Sequence, residues 1–423
     1  MRPHLFVAAL LLVLCAAPAF ASEQDALQIS SIIQSRHLLE GIILDPVYAS
    51  ADPASPDFNS IVGYTHCRDS AIWTGHYLAA EAFRYGVTTD SIQKAEALNA
   101  VVGALGGIKF LLDVTRTDVL ARCFINVTSP YAGFVRDEIV SSLGAENLFQ
   151  SKVKGNTYYW AGRTSRDQYS GLFFGLAVAY DVVPNANVRD SIFDLVTRML
   201  EYLLDNNWNV VMPDGRISTT FLHRPDQQLA FLQVGRRVNP KRFAAIYESY
   251  RLTKAGSVAA PIAADSADNH DSYFKFNLNA INLYTLIRLE EPSSPFRATY
   301  LNAYAIHWNT IKEHLNAHFD LIDHGIKGVS EKDWEIPLRL EDWLNTNVWV
   351  GKPARRDWPA QNEKYGPCGS KSSVVIPVSE RPVTDFVWQR SPYMICGWGI
   401  GTVEVPGIDY ILPYWMARHY GVL

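Results

Sequence analysis

Three short segments of the chain carry an Asp next to His, Arg or Ser and lead directly into a long apolar stretch. They are centred on Asp69, Asp167 and Asp271. Two carboxyl groups in one cavity can work as acid and base, because one donates a proton while the other stays ionised. The repeated placement therefore predicts that several helices bring these residues to one shared site.

Asp69 and Asp167 are the preferred acid and base, or acid and nucleophile, and Asp271 is the third candidate. Aromatic residues close to these carboxyls would desolvate them to different extents and so separate their pKa values. The aromatic residues are Trp73, Tyr169 and Tyr273. The competing interpretation is structural, because Asp is a preferred residue at the N-terminal cap of a helix.

Histidine and arginine side chains in the same clusters widen the possible chemistry. His66 and His270 are candidate general bases for an elimination reaction, which removes a proton next to a carboxylate. Arg68 and Arg166 each precede an Asp, and an Arg at the mouth of a cleft can hold a carboxylate in a two-pronged contact. That reading indicates an acidic sugar such as a uronate, and the alternative is an ion pair between helices.

A turn-rich segment near the C-terminus supplies further candidates for substrate binding. Trp388, Arg390 and Glu404 lie in this stretch among several glycines. Aromatic faces flanked by polar groups suit the stacking of sugar rings. The alternative is a loop that plugs one end of the molecule.

The elements that must position these residues are mostly helices, since apolar residues recur at spacings of three and four. Proline and Asn or Ser mark the breaks between paired helices. Long loops are expected at 45–64, 120–159 and 346–407, with a small β-ribbon at 373–378. The predicted helices span 22–43, 72–85, 91–112, 170–180, 188–204, 226–238, 240–252, 273–289, 296–315, 334–344 and 410–420.

Composition narrows the function classes. The chain has 423 residues, of which 48% are hydrophobic and 19% charged, and its formal net charge is −5. Without a basic block, nothing favours nucleic-acid binding. No metal-ligand spacing and no phosphate-binding glycine motif occurs, so neither a metal nor a cofactor is expected.

Residues 1–21 resemble a signal peptide, with Arg2 before an apolar core and Ala19-Phe20-Ala21 at the cleavage site. The core is too short to span a bilayer. We therefore expect an exported chain, periplasmic or extracellular, with one domain over 22–423 and no membrane attachment after cleavage. A lipoprotein anchored through Cys15 is the alternative.

Four cysteines remain after that cleavage, and disulfides persist in exported proteins. The pairing that is local in sequence joins Cys67 to Cys123 and Cys368 to Cys396. The alternative is that Cys67, within the first cluster, stays a free thiol.

With its helical pairs, a lone first helix and a lone last helix, the chain resembles the six-hairpin (α/α)-toroid superfamily of glycosidases, epimerases and polysaccharide lyases. The resemblance implies an all-α (α/α)6-type toroid in which inner helices point polar residues at a central cleft that binds sugar. It implies a glycoside hydrolase acting on an oligosaccharide or a smaller sugar. A polysaccharide lyase, a dehydratase-isomerase resembling linalool dehydratase-isomerase and a glycan-binding protein are the alternatives.

Overall fold

The computed structural model describes residues 21–50, 60–268, 270, 272–346, 355–358 and 361–423, and this part of the chain is mainly helical. The predicted helical class is confirmed in that coarser form, with small sheets added. The signal-peptide prediction over residues 1–20 and the candidate Asp271 lie outside the described residues.

Fourteen α-helices occur in the described part of the chain. They are α1 Glu23–Ile32, α2 Ser70–Val87, α3 Ser91–Asp113, α4 Ala132–Leu143, α5 Arg166–Val182, α6 Ala186–Asp205, α7 Pro225–Val238, α8 Pro240–Lys254, α9 Ala259–Ser266, α10 Phe274–Arg288, α11 Pro295–Ile311, α12 Ala317–Lys327, α13 Ile336–Leu344 and α14 Ile408–Tyr420.

The strands are short and pair antiparallel in five small sheets across the described residues: β1 with β2, β3 with β4, β5 and β6 on either side of β7, β8 with β9, and β10 with β11. They are β1 Leu38–Leu39, β2 Ile42–Ile43, β3 Asp45–Tyr48, β4 Ile61–Thr65, β5 Phe124–Asn126, β6 Leu148–Val153, β7 Asn156–Ala161, β8 Asn209–Val211, β9 Ile217–Thr220, β10 Arg355–Arg356 and β11 Glu404–Val405.

Several helices begin where the sequence signals predict. Asp90 caps α3 by accepting hydrogen bonds from the backbone N–H groups of Ile92 and Gln93, at 3.1 and 2.9 Å. Proline occupies the first position of α7, α8 and α11. Its missing N–H does no harm there, because the first helical N–H groups have no partner within the helix.

Six helices are buried along most of their length, and each packs against the next. The order runs α2, α5, α7, α10, α12, α14 and back to α2. A second set flanks them: α3 packs on α2, α6 on α5 and α7, α8 on α7, α11 on α10, α13 on α12 and α14, and α1 on α14. Among these, α3 is long and apolar enough to cross a membrane, but half of its most apolar window is buried, and helices of a protein core pass the same test.

The tightest of these contacts joins α2 to α5 through glycines. A methyl group added at Gly75 would lie 2.1 Å from the carbonyl oxygen of Gly171, and one at Gly175 would lie 2.1 Å from that of Gly75. Because no side chain separates them, the two backbones touch. The contact sets the first turns of α2 and α5 side by side at one end of the molecule.

The first predicted helix, over 22–43, is too long. α1 ends at Ile32, a π-helical turn follows, and β1 and β2 form a hairpin whose tip is Glu40 and Gly41, both with positive φ. A helix does not admit that backbone conformation. Gly41 instead packs directly against Gly107 of α3, where an added methyl would lie 2.2 Å from the Gly41 oxygen.

Two other sequence predictions are also corrected. The expected loop at 120–159 contains α4 and parts of a three-stranded sheet. No strand forms in the described segment 373–378, and the C-terminal ribbon is β10 with β11 instead. The ribbon prediction relied on local alternation of residue types, which does not reveal a partner that is distant in sequence.

One predicted disulfide is present and the other is not. Cys368 and Cys396 are bonded, whereas Cys67 and Cys123 are free, buried thiols. Cys67 lies within hydrogen-bonding reach of Cys123 and of Glu138, and burial raises its pKa. The free-thiol alternative therefore describes Cys67, although burial in this setting makes a thiol unreactive.

A thiol count checks this arrangement. We expect no reaction of Cys67 or Cys123 with an aromatic disulfide reagent in the native protein, because both side chains are fully buried. After denaturation without reductant, two thiols should react. Finding none would show that these cysteines are joined in a second disulfide.

Substitution of the interhelical glycines tests the contact between α2 and α5. We expect Gly75→Ala to lower the free energy of unfolding by about 1–3 kcal/mol, because the methyl group overlaps the α5 backbone. Gly103→Ala in α3 is the matched control, since nothing lies within 4 Å of its added methyl; removing a helical glycine there should raise stability by about 0.5–1 kcal/mol. Equal stabilities in urea denaturation would contradict the packing described.

Candidate active site

The first turns of α2 and α5 carry the two preferred carboxyl residues. Asp69 occupies the N-terminal cap position of α2, yet its side chain makes no capping hydrogen bond. Asp167 lies in the first turn of α5, whose cap residue is Ser165. The capping interpretation therefore does not account for Asp69, and both carboxyl groups are available to a site.

Both residues line one cavity of about 370 Å³. Its wall comes from the N-terminal ends of α2, α5 and α10, from Arg122 in the segment before β5, and from the C-terminal segment. The lining residues are Arg68, Asp69, Ile72, Trp73, Arg122, Ser165, Asp167, Phe274, Asn277, Leu278, Trp388 and Gln389. The structure thus joins the first two polar clusters, as the shared-site hypothesis requires.

Four other hollows of the described surface are lined by none of the predicted catalytic residues. One of about 660 Å³ is lined by Arg116, Lys152, Lys154 and Arg198 with two aspartates. Its charged side chains lie on open surface, and Arg198 is already paired with Asp113 at 2.8 Å. The smaller cavity at Asp69 is more enclosed and combines carboxyl groups with aromatic walls, so it is the better candidate.

Two arginines surround Asp69. Arg122 Nη1 lies 3.6 Å from one carboxylate oxygen, and Arg68 Nε lies 3.4 Å from the other. Arg122 is itself fixed, because its Nε donates to the Arg163 carbonyl at 2.8 Å and its Nη1 donates to the Arg68 carbonyl. Two positive charges therefore lie within 4 Å of the Asp69 carboxylate.

Gln168 bridges the two helices beneath these charges. Its Oε1 accepts a hydrogen bond from the backbone N–H of Ile72 at 3.0 Å, and its Nε2 donates to the Arg68 carbonyl at 3.2 Å. The same Nε2 lies 3.5 Å from Asp69 Oδ1. Gln168 is buried, so the bridge fixes the start of α2 relative to α5.

Asp167 has a different electrostatic setting. Its side chain keeps some exposure through the cavity, but burial is the strongest influence and raises the pKa of its carboxyl group. Arg122 opposes that shift, and the negative charge of Asp69 adds to it. The two carboxyl groups therefore differ: Asp69 is paired with two arginines, while burial raises the pKa of Asp167.

Aromatic rings form the apolar side of the cavity. Trp73 and Trp388 both line it, with ring centroids 6.3 Å apart, and Phe386 packs behind them 4.5 Å from Trp73. His76 lies deeper, where Asn277 Nδ2 donates to its Nε2 at 3.1 Å. Burial lowers the His76 pKa to about 4, so it is a neutral core residue that supports the wall.

The remaining predicted residues lie elsewhere. Tyr169 is buried and accepts a hydrogen bond from the Leu120 N–H at 3.3 Å. Arg166 Nη1 donates to the Thr220 carbonyl at 3.4 Å, outside the cavity lining. Neither contact places the side chain where it could hold a substrate bound beside Asp69.

The third cluster forms its own group. His270 Nε2 lies 3.2 Å from His314 Nε2, and Tyr273 Oη lies 3.0 Å from His314 Nδ1. Burial and the nearby charge of His270 lower the pKa of His314 to about 2. Neither His270 nor Tyr273 lines the cavity, although Phe274 and Asn277 of the adjoining helix do.

Three predicted residues occupy a network next to the cavity. His66 pairs with Asp45, and Arg390 pairs with Asp385. Glu404 is fully buried and accepts hydrogen bonds from Arg36 and Tyr48, so it supports the fold and does not face the cavity. Among the described residues, no group of three or more His, Cys, Asp or Glu is arranged to hold a metal ion.

Sequence reasoning missed the four polar lining residues Arg122, Ser165, Asn277 and Gln389, and the apolar residues Ile72, Phe274 and Leu278. Arg122 falls in a segment predicted as loop, and nothing local distinguishes it from a surface arginine. Only Asn277 carries a signal that could have been used. A polar residue on an otherwise apolar stretch of α10 indicates a buried polar contact.

Comparison of the chain with protein-family models, with curated proteins and with solved structures found no match. The function of this chain is therefore inferred from the site itself.

From the raised pKa of Asp167 we predict how its substitution changes the stability of the protein with pH. A carboxyl whose pKa is higher in the folded protein favours folding below its unfolded pKa, near 3.8, and loses that contribution as the pH rises. We therefore expect Asp167→Asn to melt at the same or a higher temperature than the parent at pH 7. The difference should vanish near pH 3.5. A lower melting temperature at pH 7 would mean that the carboxylate stabilises the helix.

Proposed function

We propose that this protein is a carbohydrate-active enzyme, a glycoside hydrolase with Asp167 as general acid and Asp69 as general base or nucleophile. One observation carries the proposal: two carboxyl groups in unlike electrostatic settings line the same cavity. Cleavage of a glycosidic bond needs such a pair, one protonated and one ionised. A site that only bound a glycan would gain nothing from a buried carboxyl with a raised pKa.

Each residue has a role in the proposed reaction. Asp167 donates its proton to the leaving oxygen of the glycosidic bond, and Asp69 either attacks the sugar carbon or removes a proton from water. Arg122 and Arg68 orient Asp69. The rings of Trp73 and Trp388 offer apolar surface for the C–H faces of a sugar, which is the contact such rings favour.

The charge at the mouth of the cavity supports an acidic sugar as substrate. Arg68 lines the cavity, and 49% of its side chain is exposed. A half-exposed guanidinium can hold a sugar carboxylate in a two-pronged contact while it stays near Asp69. The expected ligand is thus an oligosaccharide or smaller sugar that carries a uronate.

Elimination at a uronate is the rival reaction, and it needs a base such as His or Tyr at the substrate. Among the described lining residues there is neither. His66, His270 and Tyr273 have partners outside the cavity. This placement favours hydrolysis over a lyase, and it equally disfavours a dehydratase-isomerase that relies on His.

The (α/α)6 toroid is the architecture we propose for this site. The closed order of contacts among the six buried helices supports it, as does the second set of helices around them. In such a ring the inner helices place their N-terminal ends around one cleft, where α2, α5 and α10 each contribute lining residues. An exported location, inferred from the leader over residues 1–21, suits an enzyme that meets glycans outside the cell.

Substitution of the two carboxyl residues tests the reaction. On a panel of glycans, we expect Asp167→Asn and Asp69→Asn each to lower kcat at least a hundredfold, because general acid–base groups contribute about that much. Products are followed both by reducing ends and by the ultraviolet absorbance of unsaturated uronates. Asp181→Asn, a variant at the far end of α5, is a control for mutation of a helix carboxylate.

Chemical rescue assigns the roles. In Asp69→Ala, azide should restore turnover of a substrate with an activated leaving group and yield a glycosyl azide, since the small anion fits the space of the lost carboxylate. The anomeric configuration of the sugar released by the parent enzyme then separates the two roles, because a nucleophile gives retention and a general base gives inversion. Products with unsaturated ends would overturn hydrolysis, and full activity of both Asn variants would overturn the site.

A further inference from the structure

A second group of ionisable side chains lies beside the cavity and has no part in the reaction described so far. It comprises Asp45, His66, Asp357 and Asp385. His66 and Asp357 keep partial exposure, while Asp45 is buried. Each comes from a different segment of the chain, so the fold assembles the group.

Short strands bring three of these residues together. Asp45 begins β3 and pairs with Thr65, so His66 follows directly after β4. On its other side, β3 is bridged to the residue before β11 through Val47 and Val403. The backbone N–H of Asp357 donates to the Val403 carbonyl at 2.8 Å. Four strands therefore place Asp45, His66 and Asp357 at neighbouring positions.

The first pair in this group is His66 and Asp45, and their contact orients the imidazole ring. His66 Nδ1 lies 2.5 Å from Asp45 Oδ2. His66 also has a left-handed backbone with φ of 64°, a conformation that is sparsely populated and that clusters at functional sites. Although burial opposes it, the Asp45 carboxylate raises the pKa of His66 to about 9. At neutral pH this pair is an imidazolium bound to a carboxylate.

Buried ionisable side chains contact Asp45 through its other carboxylate oxygen. His37 lies with its Nδ1 3.7 Å from Asp45 Oδ1 and its Nε2 3.7 Å from Glu404 Oε1. Glu404 is bound in turn by Arg36 at 3.2 Å. Asp45 is therefore already occupied on both oxygens, and it serves to fix His66 rather than to receive a proton.

Asp357 differs from its neighbours, because its Oδ1 is buried without a hydrogen-bond partner. Asp385, the other nearby carboxyl, is paired with Arg390. Burial raises the pKa of Asp357 to about 7, with His66 opposing the shift. The charged groups that act on Asp357 and His66 are Asp45, Asp69, Asp385 and Arg390.

The group adjoins the cavity along two segments of the chain. His66 is followed by Arg68 and Asp69, which line the cavity, and its carbonyl accepts the Asp69 N–H at 3.0 Å. Asp385 is followed by the lining residue Trp388, and its charge acts on His66. The charge of Asp69 acts on His66, and the charge of His66 acts on Asp357, so the group is electrostatically linked to the cavity.

We propose that Asp357 is a proton-relay residue of the site, and that His66, held by Asp45, is its positioning residue. This inference depends on the proposed function. In water-mediated hydrolysis, Asp69 ends with one proton too many and Asp167 with one too few. Asp357 accepts the proton released from Asp69 through water and returns one through water to Asp167, so no proton is gained or lost. The His66 imidazolium keeps Asp357 able to ionise near neutral pH.

The relay is tested with Asp357→Asn in the full chain. We expect kcat to fall about tenfold while KM is unchanged, and the pH dependence near pH 7 to disappear. Buffers such as imidazole or phosphate, with pKa values close to 7, should restore kcat in proportion to their concentration. His223→Gln is the matched control, because that histidine is exposed and outside the group.

The variant His66→Gln is the second test of the relay. Loss of the imidazolium should raise the pKa of Asp357, so the pH limb moves to higher pH with little loss of kcat at its optimum. The relay is overturned if Asp357→Asn keeps the parent kcat and pH profile, or if its loss of activity is insensitive to buffer. Rescue separates a relay from a merely structural role, which an added buffer does not replace.

A titration by carbon-13 NMR separates this inference from the proposed function. In Asp167→Asn protein, which should be inactive, the Asp357 carboxyl is expected to titrate near pH 7 and to shift upward when His66→Gln is added. An ordinary Asp pKa near 4 would overturn the relay whatever the activity. If Asp357 titrates near pH 7 in a protein that cleaves no glycan, the interaction between His66 and Asp357 stands. The proposed glycoside hydrolase function is then overturned.

Discussion

The structure depends on one contact more than on any other, the meeting of α2 and α5 without intervening side chains. Gly75, Gly171 and Gly175 allow the two backbones to touch. Close approach of helix axes fixes their relative height and rotation, because little freedom remains once carbonyl groups meet Cα atoms. That rigidity is what brings Asp69 and Asp167 to the same cavity.

The electrostatic difference between the two carboxyl groups follows from this packing. Asp69 lies on the side of Arg122 and Arg68, whose positive charges surround it. Burial and the charge of Asp69 raise the pKa of Asp167, although Arg122 and Arg166 oppose that shift. Two identical side chains thus have different electrostatic surroundings, because different segments of the chain pack against them.

Much of the helical prediction came from local sequence signals at the helix starts. Asp90, Pro225, Pro240 and Pro295 mark helix starts that the structure confirms. Errors came where partners are remote in sequence. The segment 120–159 folds as α4 and part of a three-stranded sheet. Its apolar faces pack on α3, on short helical turns and on strands, and no local pattern reveals these neighbours. The prediction that the third Asp-centred cluster joins the shared site was wrong for its described members. His270 and Tyr273 contact His314 and do not line the cavity.

The sequence by itself determined which residues have acid–base chemistry and that they stand at the starts of apolar helices, because residue type and periodicity are local properties. Only the tertiary structure decided which clusters meet. It brought Asp69 and Asp167 to one cavity, added Arg122 from the segment before β5, and placed Glu404 in a buried network. The reason is physical: proton affinity depends on burial and on charges a few ångström away, and those neighbours come from segments that are distant along the chain.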